Sequence, residues 1–102
     1  MKARIDIHNL LLEVTDNVWF QPPDNVQLTY PCIIYEMTDS SNQYADDNAY
    51  NVFVTYNVMY ITDDPDNIEE ILSKIMAIPY ATFIRTQIVE GLYHLYFDIT
   101  NQ

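Results

Sequence analysis

Hydrophobic and polar positions first mark out a helix. Between Arg4 and Thr15, the residues Ile7, Leu10, Leu11 and Val14 recur at the i, i+3, i+4, i+7 spacing of one face, with Asp6, Asn9 and Glu13 elsewhere. Val18, Trp19 and Phe20 then form a short apolar run, closed by Pro22 and Pro23, which lack the N–H needed to continue a ladder. This predicts a short strand and a turn. Asp24 to Thr29 reads as a polar loop. Pro31 stands at the first position of a strand that continues through Cys32, Ile33, Ile34 and Tyr35, residue types that suit a pleated surface.

From Thr38 to Asn48 nearly every residue is polar or small, which predicts a long exposed loop. Tyr50 to Thr62 is the clearest strand. Val52, Val54, Tyr56, Val58 and Tyr60 alternate with Phe53, Thr55, Asn57, Met59 and Ile61, so both faces carry apolar groups and a central place in a sheet is expected. Asp63, Asp64, Pro65 and Asp66 combine candidate caps with a proline suited to a first helical turn, and Glu69 lies three residues after Asp66. The helix they start carries Ile68, Ile71, Leu72 and Ile75 on one face, pairs Glu70 with Lys74, and stops before Pro79. Thr82 to Val89 and Leu92 to Ile99 are β-rich runs joined through Gly91, the pattern of a closing hairpin. The expected class is α+β, a largely antiparallel sheet of about five strands with two helices packed on it.

Composition narrows the function. A chain of 102 residues fits one domain, residues 1–102, and 49% hydrophobic content supports a packed core. No run approaches the roughly 20 apolar residues of a membrane-spanning helix, and the first residues lack a basic stretch leading into an apolar one, so a soluble, unexported protein without a membrane partner is expected. Fifteen Asp and Glu against four Lys and Arg give a net charge of -11, which opposes sequence-specific binding to nucleic acid. With a single cysteine, Cys32, no intrachain disulfide and no thiolate metal cluster can form, and a reducing compartment is the natural setting. One glycine excludes the glycine-rich loops that cradle phosphates.

Candidate chemistry is sparse. His94, Tyr96 and Asp98 alternate along the last predicted strand and so share a face, but alternation alone puts polar residues on one side of a half-exposed strand, opposite Tyr93, Leu95, Phe97 and Ile99. His8 reads as a helix-surface histidine. The acidic groups Asp46, Asp47 and Asp63, Asp64, Asp66 lack the twelve-residue spacing and the glycine of a calcium loop. Cys32, within an apolar strand, reads as an inert buried thiol. No catalytic residue, cofactor site or metal site is assigned, and an enzyme is not expected.

Several segments carry a family resemblance: Phe20 to Pro23; Tyr30 to Tyr35; Tyr44, Ala45, Asp46, Asp47, Asn48, Ala49 and Tyr50; and Tyr56 through Asp66, ending in an Asp-Pro-Asp helix start. In these the chain resembles phage tail completion and tail terminator proteins of the head-tail joining neck, over most of its length. Where such proteins often carry an Asn-His pair before the final strand, this chain has Tyr93 and His94, so the resemblance gives His94 no role.

The resemblance implies a virion subunit, assembled in the host cytoplasm. Such subunits form a homo-oligomeric ring, often sixfold, between the tail tube protein and a head-completion or connector protein. Tyr44, Asp46, Asp47, Asn48 and Tyr50 are then the candidate assembly interface, an amphipathic contact area within the polar segment. An acidic surface on a central channel would let DNA slide without sticking, and the same charge keeps a small protein soluble. The alternative is a small acidic DNA mimic that inhibits a host nuclease, although mimicry needs carboxylates spaced like phosphates.

Overall fold

The computed structural model describes residues 4–45 and 49–101. Helix α1, Arg4–Leu12, buries Ile7 and Leu11, with Leu10 and Val14 packed beside them. Its last turn tightens, since the amides of Glu13, Val14 and Thr15 donate to the carbonyls of Leu10 and Leu11, which explains why the apolar spacing runs on past Leu12. Strands β1, Val18–Phe20, β2, Cys32–Ala45, and β3, Ala49–Thr62, follow. A single 3-10 turn, Pro65–Asn67, leads into helix α2, Ile68–Met76, and β4, Ala81–Val89, and β5, Leu92–Asn101, end the chain.

The strands form one sheet in the order β1-β2-β3-β5-β4. All pairs are antiparallel except β1 with β2, so the α+β class and the largely antiparallel sheet stand as expected. The parallel pair is possible because the connection from Gln21 to Pro31 returns the chain to the other end of β1. Asn17 holds that return in place. Its side-chain amide donates to Thr29 O at 2.8 Å and to Pro31 O at 3.3 Å, while Ile33 N donates to Asn17 O at 2.8 Å.

Alternation along β3 separates two faces. Tyr56, Val58 and Tyr60 are buried with Ile33 and Tyr35 of β2 and with Leu95, Phe97 and Ile99 of β5, and Ile7, Leu11, Ile71 and Ile75 of the two helices cover them. This layer is the core. Pair by pair, register matches apolar to apolar, as in Tyr35↔Val58↔Phe97 and Ile33↔Tyr60↔Leu95.

One expectation is corrected. The segment from Thr38 is not a loop: β2 continues to Ala45, and its pairing with β3 runs unbroken from Ser40↔Val54 to Ala45↔Ala49. Polar residues have weak strand preference, yet that preference yields to context, and a partner strand already in register offers each added residue a ladder of hydrogen bonds. A register shift between Met37 and Asp39 marks the boundary, where Thr38 Oγ1 donates to Thr55 O at 3.2 Å. Asp46, Asp47 and Asn48 lie outside the described residues.

The start of α2 also differs in detail. Of the candidate caps, Asp64 caps the 3-10 turn that precedes α2, accepting a hydrogen bond from Asp66 N at 2.9 Å on its Oδ1, with Pro65 at the start of that turn, while Asn67 holds the N-cap position of α2 itself. Glu70 meets Lys74 at 3.3 Å on the exposed side of α2, a surface pair that contributes little. At the β4–β5 turn, Glu90 and Gly91 both have positive φ, 52° and 79°, the geometry of a two-residue hairpin turn whose hand matches the strand twist.

The face of α1 gives a direct test. Leu11→Ala should destabilise the fold by about 2–5 kcal/mol, whereas Ile5→Ala, on the exposed side, should change it by less than about 0.5 kcal/mol, measured by urea denaturation.

Candidate functional site

Beyond the core, β2 and β3 continue alone. The pairing of β3 with β5 ends at Val54↔Asn101 and that of β1 with β2 at Phe20↔Tyr35, so Ser41–Ala45 and Ala49–Phe53 form a two-stranded arm past the sheet among the described residues. At about 3.3 Å per residue it reaches roughly 16 Å. The molecule is correspondingly elongated, with extents of 51 × 30 × 22 Å and a radius of gyration of 14.9 Å. A compact chain of this length would have roughly 13 Å. Of the candidate interface residues, Tyr44 and Tyr50 are register partners near the arm's end, and Asp46, Asp47 and Asn48 lie outside the described residues.

The sheet face away from the helices presents a row that crosses all five strands: Trp19↔Ile34↔Met59↔Tyr96↔Arg85. Arg85 lies over the Tyr96 ring, 4.3 Å from its centroid, and the Tyr96 hydroxyl donates to Gln87 Oε1 at 3.3 Å. Cross-strand pairs Asn57 with Asp98 and Thr55 with Thr100 flank the row at 3.3 and 3.2 Å.

His94 and Asp98 share this face, yet they are not joined. The His94 ring stacks on Tyr96 at 6.4 Å between centroids and its Nδ1 lies 3.2 Å from Leu92 O, while Asp98 meets Asn57. A cleft of about 300 Å³ lies elsewhere, between the helices, lined by Leu10, Val14, Ala77 and Ile78 with Glu13 and Lys74. Among the described residues no group of three His, Cys, Asp or Glu has a geometry that could hold a metal.

His8 is corrected from a surface histidine to a half-buried one. Its Nδ1 lies 2.7 Å from the hydroxyl of Tyr35, a residue with no exposure, and Arg4 donates to the same oxygen at 3.0 Å. The Arg4 guanidinium also covers Phe20, 4.6 Å from the ring centroid, so one buried phenol ties α1 to β1 and β2.

Strand β4 was expected as half of the closing hairpin, and what the sequence did not state is that it forms the exposed edge of the sheet. Its residues from Thr82 to Val89 are exposed, including Phe83, Ile84, Ile88 and Val89, and Arg85 is its one charged residue. The available signal was the absence of any acid across nine residues of a chain that carries fifteen. A scan against family models and a search of curated proteins found no match to the chain.

Burial leaves a signature in pH. The Cys32 thiol is pushed up from 9.0 to about 11 by loss of solvent. Burial likewise raises Tyr35, opposed by its hydrogen bond from Arg4 and that guanidinium's charge, and raises Tyr60, opposed by hydrogen bonds with Thr62 and Asn67. All three are held neutral in the folded state. Each therefore contributes stability that is complete below its unfolded-state value and is lost as pH rises through the folded one, a window from 9.0 to about 11 for Cys32 and one that begins at 10.0 for the two tyrosines. The urea midpoint should fall over that window, less steeply in Cys32→Ala. At about pH 8 a thiol reagent should label Cys32 only after denaturant is added.

Proposed function

We propose that the chain is a structural subunit of a phage tail or head-tail junction, of the tail terminator or completion type, which assembles into a ring that caps the tail tube. One observation carries this reading: the arm Ser41–Ala45 with Ala49–Phe53 extends past its own sheet. A two-stranded ribbon is marginal in water unless it packs on something, and an exposed one invites pairing, so an arm of this kind suits a subunit completed by its neighbours. The resemblance described above supports the same place, between tail tube protein and head connector.

Charge supports the reading in a second way. Asp6 of the first helix, Glu13 just after it, and Asp63, Asp64, Asp66, Glu69 and Glu70 around the start of α2 put acid on the helical layer, whereas the bare sheet face carries Glu36 of β2 and Asp98 of β5 together with the cation Arg85 of β4. A subunit so divided has one side that repels DNA and another on which like-charged copies can approach.

The test is to mix purified chain with phage tail tube protein and view the product by negative-stain microscopy. Tubes closed by a ring at one end are expected, and Tyr44→Ala with Tyr50→Ala should weaken capture at least about tenfold without moving the unfolding midpoint. A chain that stays monomeric and leaves the tubes open overturns the reading. Tight binding to a basic nuclease instead would assign the DNA-mimic role.

A further inference from the structure

The sheet ends in two unlike edges. On one side the whole of β4, Ala81–Val89, has no strand beyond it among the described residues. On the other, β1 covers only Ile33 to Tyr35 of β2, and the Gln21 side chain accepts from Met37 N at 3.3 Å, so among the described residues the outer edge of β2 is open from Thr38 to Ala45. Both edges are rows of backbone donors and acceptors of matching length. Glycine, proline and acid, which would blunt an edge, are missing from β4, and its exposed Ile84, Ile88 and Val89 favour company over water.

We infer that neighbouring copies of this chain join edge to edge, the β4 of one pairing with the Thr38–Ala45 edge of β2 in the next. Three observations select a second copy as the occupant. The first is charge: the one charged residue of β4 is Arg85, exposed and without a carboxylate at ion-pair distance among the described residues, while β2 carries the acidic Asp39 on its open edge and the acidic Glu36 two residues before that edge begins. In a chain of net charge -11, a cation on one edge and acids on the other are what let copies meet.

The second is polarity. β4 is antiparallel to β5, β5 to β3 and β3 to β2, so β4 runs opposite to β2 within one molecule. A copy shifted sideways without being flipped keeps that relation, and its β2 meets the first copy's β4 as an antiparallel pair. The third is level. Ala81 is in register with Ile99, Tyr56 and Met37, so β4 starts where the open edge of β2 begins and runs the other way. Pairing them shifts each copy along the strands by about the length of β4, roughly 30 Å. Such a stagger tilts the strands against the row of copies, as in closed barrels, and a head-to-tail contact of this kind closes into a ring when its rotation permits.

The inference rests on the ring reading above and names its contact, and its test separates the two. Sedimentation velocity would compare wild type, Arg85→Glu, the pair Glu36→Arg with Asp39→Arg, and the combined triple variant, on samples with matching circular dichroism. Self-association should weaken at least about tenfold in the first two variants and return to within about threefold of wild type in the triple variant. Loss without recovery, or no loss at all in a wild type that associates, overturns edge pairing and leaves the ring reading standing. A wild type that remains monomeric, alone and with tail tube protein, overturns both.

Discussion

The register of β3 is the constraint on which the molecule depends. Tyr56, Val58 and Tyr60 must all face the helices, and a slip of one residue against either neighbour would turn them to solvent and bring Asn57 and Met59 into the core. Burial at three alternate positions therefore settles both pairings at once. Helix α1 is locked to the same layer through Tyr35, whose hydroxyl is shared by Arg4 and His8. From this layer the β2–β3 pairing runs outward past the last residue that β5 can reach, and the arm follows from a register determined in the core.

How much of this could be read beforehand depended on whether the signal was local. The faces of α1 and α2, the alternation of β3, the proline in the turn before α2 and the Gly91 hairpin are each written within a few residues, and each appears in the fold. The arm was not legible, because Thr38 to Ala45 is strand only through its partner, and residue types such as Asp39, Ser40 and Ser41 say the opposite on their own. Nor was β1 legible as a parallel neighbour, since nothing in Val18, Trp19 and Phe20 states the direction of the strand beside them. The candidate interface was half legible: Tyr44 and Tyr50 are partners in the hairpin, a relation set by register rather than by composition.

The same distinction governs function. Net charge is a sum, and the sum alone favours solubility, a basic partner or mimicry of DNA equally. Its distribution adds what the sum lacks: acids gather around the helices and the start of α2, while the one cation of β4 marks a sheet edge. What would be a liability in a solitary protein, a long apolar edge strand and a projecting ribbon, becomes an economy in a subunit whose edges are covered by its neighbours.

Amide hydrogen exchange of the arm, followed in the chain alone and after capture on tail tubes, tests the central claim most directly. The account predicts fast exchange in Ser41–Ala45 and Ala49–Phe53 of the lone chain and strong protection in the assembled state, with the core strands slow in both. Equal exchange in the arm before and after capture would contradict it.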